Sequence, residues 1–210
     1  MTKAQLRKRW KDADFIESLS IPRGRLPNEN EIQDTDLRGI SKLGNAEPLC
    51  HFKFHNVKSS GVNLSHGDGA LIAYKSEITN LECIDFKFDR ASSFIGTTFI
   101  NCDFSHSRLR LDVADCEFIN CRFNDSSFAG GSNEYGFIRS KFTQCDFTSI
   151  RWKRTYFKAC TMSECDMTHS QIIDGSILSL KHFKCVNFSR MIFIGEDEPR
   201  LINLQDNKSE

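Results

Sequence analysis

The sequence predicts an all-β square coil with a short α-helical cap at its N-terminus, and three observations carry that prediction. Large apolar residues recur every five positions: Phe94, Phe99, Phe104 and Leu109, then Val113, Phe118, Phe123 and Phe128, then a run from Phe137 to Ile177, closed by Phe183, Phe188 and Phe193. A small residue recurs two positions earlier, as at Ser92, Thr97, Cys102, Ser107, Cys116, Cys121, Cys145, Thr155 and Cys165. The aromatic content is skewed to 18 Phe against 3 Tyr and 2 Trp, and phenylalanine, having no polar atom, suits a dry interior. A period of five matches neither the 3.6 of a helix nor the alternation of a lone strand. It fits a coil in which each side turns one large and one small residue inward and leaves three positions for solvent and the corner. If about 20 residues make a turn, residues 20 apart stack at roughly 4.8 Å. Cys145 then lies under Cys165, Phe147 under Met167 and Phe137 under Phe157.

Several segments repeat a small residue, then Asp or Asn, then Leu or Phe: Thr35-Asp36-Leu37-Arg38-Gly39, Val62-Asn63-Leu64-Ser65-His66, Cys102-Asp103-Phe104-Ser105-His106 and Cys145-Asp146-Phe147-Thr148-Ser149. They resemble the pentapeptide-repeat family over roughly residues 31 to 195. The resemblance implies a right-handed quadrilateral β-helix with four repeats per coil. It is strong from Phe94 to Ile177 and gives no continuous register between Ile40 and Ile84.

A solenoid exposes apolar cross-sections at its ends, which must be capped. Residues 1–30 read as a helical cap and connector: Thr2 and Gln5 have capping-box spacing, and Leu6, Trp10, Ala13, Ile16 and Leu19 fall near one stripe. Ser20 to Asn30, with two prolines and two glycines, reads as the connector. The β-helix is expected over 31–195, and 196–210 as a C-terminal cap segment and tail.

Composition narrows the chemistry. Lys plus Arg and Asp plus Glu both total 28, so no general attraction to nucleic acid or anionic membrane is expected. The charged N-terminal residues do not make a secretory h-region, and no apolar run reaches the roughly 20 residues of a membrane span, so the expected location is cytoplasmic. Nine cysteines is an odd number, and those such as Cys116, Cys121, Cys160 and Cys165 sit at small inward positions without Cys-x2-Cys spacing, which points to reduced structural thiols rather than metal ligands. The six histidines form no catalytic motif, with His106 and His169 outward and His51 and His55 in the unregistered stretch. Gly67-Asp68-Gly69 and Gly130-Gly131-Ser132 read as turns, not phosphate loops. No enzyme activity, cofactor or metal is expected, because a convex prism has no cleft in which catalytic groups converge.

The remaining candidates are places where the period slips, since irregularities in a solenoid map to loops and loops carry recognition. The period shortens by one between Leu109 and Val113 and again between Phe128 and Phe137, and lengthens by one between Ile177 and Phe183. Arg110 and Asp112 flank the first slip, and Glu134 and Tyr135 lie in the second. Arg151, Lys153, Arg154 and Lys158 form a basic stretch around Trp152, which itself points inward, and Glu134, Arg154 and Asp174 are spaced to stack as an alternating-charge ladder. These six residues, Arg110, Asp112, Glu134, Tyr135, Lys153 and Arg154, are the candidate contacts.

The expected role is a non-catalytic scaffold presenting a rigid surface to a protein partner, as an adaptor, immunity or targeting factor. Homo-oligomer formation through a solenoid end is a further expectation. The resemblance supplies an alternative, because some members imitate duplex DNA and bind gyrase. Between Phe94 and Phe193, however, there are about 10 acids and about 12 bases, whereas duplex DNA carries one negative charge per roughly 1.7 Å.

Overall fold

The computed structural model describes residues 1–19, 33–41, 51–130, 136–173, 176–184 and 192–194. Every strand pairing in it is parallel, and the chain winds as the expected right-handed quadrilateral β-helix of about six turns behind two short N-terminal helices. The four sides are named A to D in the order in which the chain visits them. Side A carries inward Ser59, Ile78, Phe99, Phe118, Phe142 and Met162, paired coil to coil. Side B carries Leu37, Leu64, Cys83, Phe104, Phe123, Phe147 and Met167, each one residue after a bridged position of the column Asp36 to Asp166. Side C carries Gly69, Phe88, Leu109, Phe128, Trp152 and Ile172. Side D carries Phe54, Ala73, Phe94, Val113, Phe137 and Phe157. The stretch from His51 to Ile84, which the repeat alone leaves without register, falls into the same four columns.

The three stacked pairs expected from the sequence are present, Phe137 directly under Phe157 and the other two through the bridge of Asp146 with Asp166. Elsewhere the turn departs from the length those pairs share. Along side A the coil from Phe142 to Met162 keeps it, those from Ser59 to Ile78 and from Phe99 to Phe118 are one short, that from Ile78 to Phe99 is one long, and that from Phe118 to Phe142 is four long. Up to Met162 the variation has one source: from A to B, from B to C and from D to A the inward residues are always five apart, whereas from C to D they are four (Gly69 to Ala73), six (Phe88 to Phe94), four (Leu109 to Val113), nine (Phe128 to Phe137) and five (Trp152 to Phe157). In the next coil the expected extra residue enters between sides D and A, where register shifts between Tyr156 and Thr161 set Met162 against Phe183. The second slip is therefore an insertion of four within one corner, not a shortening across two repeats.

Backbone geometry explains the regular corners. At each of the other three corners the residue two after the inward one is left-handed: Asn56, Lys75, Gly96, Asp115, Arg139 and Ala159 between D and A, and comparable columns from Asn80 to Glu164 and from His66 to His169. One residue with positive φ turns the chain by a fixed amount each time, and Asn, Asp and Gly are common because they tolerate that conformation. At the C–D corner only Arg154 has it among the described non-glycine residues (φ 50°). Where that step is four residues the strand runs straight through, as in Asp68–Tyr74 and Arg108–Ala114. Asp68 and Gly69 accordingly open a strand and do not form the turn expected of them.

The interior is nearly all side chain. Phe99 stacks on Phe118 at 4.9 Å and Phe104 on Phe123 at 5.0 Å, while Phe118 meets Phe123 within its own coil edge to face at 5.6 Å. The small inward positions hold hydroxyls and thiols that donate back to carbonyls: Ser126 Oγ to Phe104 O at 2.7 Å, Ser170 Oγ to Phe147 O at 2.9 Å and Cys102 Sγ to Ile100 O at 3.4 Å. A Ser, Thr or Cys there satisfies itself without solvent. Trp152 is inward as expected, and its Nε1 has no hydrogen-bond partner.

The N-terminal segment is two helices, α1 (Lys3–Arg9) and α2 (Ala13–Ser18), with the expected capping box of Thr2 and Gln5. The stripe breaks after Trp10 because the Asp12 carboxylate accepts from Asp14 and Phe15 N–H and starts a second helix, which leaves Ala13 exposed. Leu6 and Trp10 are buried, and Trp10 joins the core beside Leu37 and Ile40. The indole N–H donates to Arg38 O at 2.8 Å, and Arg9 forks onto Asp36. The expected connector and the C-terminal segment 196–210 lie outside the described residues.

Candidate interaction face

Residues flanking each inward position point outward, so every side displays two columns of side chains running along the solenoid axis. On side B the first column is Asp36, Asn63, Glu82, Asp103, Arg122, Asp146 and Asp166. Most of these acids are already engaged by the backbone: Asp103 Oδ1 accepts from Ser105 N–H at 2.9 Å, Asp146 from Thr148 at 2.8 Å, Asp166 from Thr168 at 2.9 Å and Asp36 from Arg38 at 3.0 Å. This is why the repeat prefers Asp or Asn there: the side chain closes a local turn. Arg122 interrupts the column and pairs with Asp103.

Side C differs. Its first column reads Asp68, Lys87, Arg108, Ser127, Arg151 and Gln171, and its second includes Arg110, Ala129, Lys153 and Ile173. Lys87, Arg108, Arg110, Arg151 and Lys153 are exposed, and among the described residues none of them makes an ion pair. Cations elsewhere do have carboxylate partners, as in Lys3 with Asp85, Arg9 and Arg38 with Asp36, and Arg139 with Asp115. Arg139 meets Asp115 through two 2.6 Å bonds, which hold that carboxyl below the usual range.

The structure brings together three of the six sequence candidates. Arg110 and Lys153 occupy one column of side C with Ala129 between them, and Arg154 follows Lys153 at the C–D corner. Asp112 sits half-buried on side D opposite Ser93, just past that corner. Glu134 and Tyr135 lie outside the described residues, as does Asp174, and with them the expected charge ladder. Arg108 was missed by sequence reasoning, and Arg151 stood out only as part of the basic stretch around Trp152. They lie one position before an inward Leu or Trp, and only the unequal coils from Arg108 to Ser127 and from Ser127 to Arg151 bring them into register.

Among the described residues no group of three or more His, Cys, Asp or Glu is placed to hold a metal ion, and no helix is long and apolar enough to cross a membrane. The seven described cysteines are buried and form no disulfide with one another. Burial pushes the Cys116 thiol up to about 12 and Cys160 up to about 11. His55 stacks on Tyr74 at 4.9 Å, and His106 and His169 are exposed at corners.

A parallel coil with four sides, one five-residue repeat to a side and paired large and small inward residues defines a β-solenoid of the pentapeptide type. In that repeat and that fold the chain resembles the pentapeptide-repeat proteins. No family model matches it, and no curated protein does. Among solved structures it is similar to a trypsin-treated form of QnrB1, a plasmid-mediated fluoroquinolone resistance protein, at 10% identity over 90% of this chain and 95% of that one, with a TM-score of 0.38. Full-length QnrB1 gives 12% identity over 86% and 100% of the two chains and a TM-score of 0.36. HetL, a pentapeptide-repeat protein involved in heterocyst differentiation regulation in the cyanobacterium Nostoc, gives 8% identity over 77% and 86%, with a TM-score of 0.27. Likenesses at this level carry no argument about function.

Proposed function

We propose that this protein is a non-catalytic interaction scaffold that presents side C and the adjoining C–D edge to a protein partner in the cytoplasm, in an adaptor, immunity or targeting role. The observation that carries the reading is the coincidence of two features on one edge of an otherwise regular prism. From Phe54 to Met162 every change in coil length falls between sides C and D, and the outward columns of side C hold five exposed cations without acidic partners among the described residues. A solenoid concentrates variation where its core does not constrain it, and such a face is the one commonly used for binding. Among the described residues the interior is filled by stacked side chains, which favours a surface role over a sequestered reaction.

Imitation of DNA is less well supported. Side B, the side richest in acids, spends several of them on its own backbone and is broken by Arg122. A supercoiling assay with gyrase at high protein excess should show no effect.

Affinity capture from native lysate at low salt, read by mass spectrometry, tests the scaffold reading. One protein should be recovered with the wild-type chain and lost when Arg110 and Lys153 are both changed to Glu. Failure to recover any protein reproducibly would overturn the reading.

A further inference from the structure

We propose that side C carries a seat for an extended acidic segment of the partner, in the notch above Ser127 and Ala129. This rests on the scaffold reading and specifies the chemistry of what docks. Ser127 pairs with Arg108 on one neighbouring coil and with Arg151 on the other, and Ala129 pairs with Arg110 and with Lys153. Two rows of two cations therefore flank a row of small, half-buried residues. Adjacent coils stack at about 4.8 Å, so the two rows stand roughly 10 Å apart, which is the width of one inserted chain.

Spacing within a row matches the same ligand. Arg108 and Arg110 lie two residues apart on a strand, as do Arg151 and Lys153, so each pair is separated by roughly 7 Å. A peptide in extended conformation repeats its side chains at that interval, so acids at alternate positions meet both members of a row. Three of the four cations are arginines, whose planar forks bind carboxylates through two parallel bonds. The floor allows close approach, because the Ser127 side chain supplies a hydroxyl donor and the Ala129 side chain only a methyl group.

Charge placement favours a narrow ligand. Asp125 is exposed at the B–C corner, with the carboxylates of side B beyond it. A nucleic-acid duplex laid across side C would press phosphates towards those acids, whereas a single peptide strand stays within the basic columns. In the free protein the four cations face one another across the notch without acidic partners, and a bound acid relieves that repulsion.

The test uses the full chain and fluorescence anisotropy with a labelled peptide of about ten residues bearing Glu at every second position. Its Gln counterpart and a single-stranded oligonucleotide of similar charge serve as comparisons. The Glu peptide should bind, weaken about tenfold or more as salt rises from low to several times physiological strength, and exceed both comparisons. Arg110→Glu with Lys153→Glu should reduce its affinity at least about tenfold. Ala129→Glu places a tethered acid in the notch, so it should abolish binding while leaving the folded state at least as stable, which separates loss of the seat from loss of the fold. Equal binding of the Gln peptide, binding that survives both variants, or tighter binding of the oligonucleotide would each overturn the proposal. Capture from lysate distinguishes the two levels of the claim. A partner held equally by the wild-type chain and by Ala129→Glu overturns the seat and spares the scaffold, and a partner lost in Ala129→Glu supports both.

Discussion

The ring of Phe118 lies 5.0 Å from that of Phe142 and within 6° of parallel, although the coil between them carries the insertion after Phe128. On its other face Phe118 stacks on Phe99 at 4.9 Å and 5°, across a coil shortened between Leu109 and Val113. The column is continuous because the unequal spans are absorbed elsewhere, so each ring is held by neighbours above and below it and by Phe123 in its own coil. Phe118→Ala should therefore cost about 3–5 kcal/mol, while Phe118→Leu costs less. Denaturant unfolding measures both, and a loss below about 1 kcal/mol for the alanine variant would contradict a core built on the column.

Since the insertion between Phe128 and Phe137 falls within one corner, length there should be nearly free. Deleting four residues between Gly130 and Gly136, which restores a five-residue step, should change stability by no more than about 1 kcal/mol, because closure entropy varies slowly with loop length. Deleting one residue between Phe118 and Phe123 should be far worse. It would reverse the facing of side B relative to its neighbours and bury Arg122. Thermal unfolding of the two deletions gives the contrast directly.

The repeat revealed the architecture because its signal is chemical: a large residue every five positions and a small one two before it. Register was legible only where Phe marks the large position. Between Ile40 and Ile84 that position is held by Ser59, Gly69, Ala73 and Cys83, while Leu81 and Leu71 fill small positions, so the two size classes exchange and the pattern fades. The candidate face was half legible. Arg110, Lys153 and Arg154 stood out through slips and local charge, but their alignment with Arg108 and Arg151 depends on coil lengths that a uniform turn does not give.

At the N-terminal end, Asp36 accepts from Arg38 and from Arg9, and the Arg38 side chain foremost holds its carboxyl well below the usual range. A carboxyl depressed in the folded state contributes stability that is fully present above its unfolded value, roughly pH 4, and is lost as pH falls through the folded value. Docking of α1 should therefore weaken progressively below about pH 4, and Asp36→Asn should flatten that part of the profile. Trp10 fluorescence in a Trp152→Phe background reports it. An unchanged acid limb in the Asn variant would assign the transition to other groups.

Gly39 tests the same junction sterically. It has φ +75°, and a Cβ there would stand 2.7 Å from the carbonyl carbon of Leu6. Backbone cannot yield as a flexible side chain does, so Gly39→Ala should dislodge α1, expose Trp10 and leave the Phe99–Phe118–Phe142 column folded. A red-shifted Trp10 emission with an unchanged main unfolding transition is the expected result. Loss of the whole fold would mean that the cap is required to nucleate the coil.

The stacked cysteines provide the last test. Cys102, Cys121, Cys145 and Cys165 follow one another on side B, each one residue before a bridged position, and are buried. In-register parallel neighbours hold their Cβ atoms about one strand spacing apart, roughly 4.8 Å, beyond the 3.5–4.5 Å range that a disulfide requires. Burial also pushes the Cys116 and Cys160 thiols up, so those two hold little thiolate near neutrality, and burial keeps reagent from the others. Iodoacetamide at about pH 8 should therefore leave all seven described cysteines unmodified in the native protein and alkylate them at the rate of unfolding, as followed by peptide mass spectrometry. Diamide should form no bridge within the column. Fast modification of Cys121 or Cys145 under native conditions would show that side B opens locally, and would contradict a core in which each coil is locked by the next.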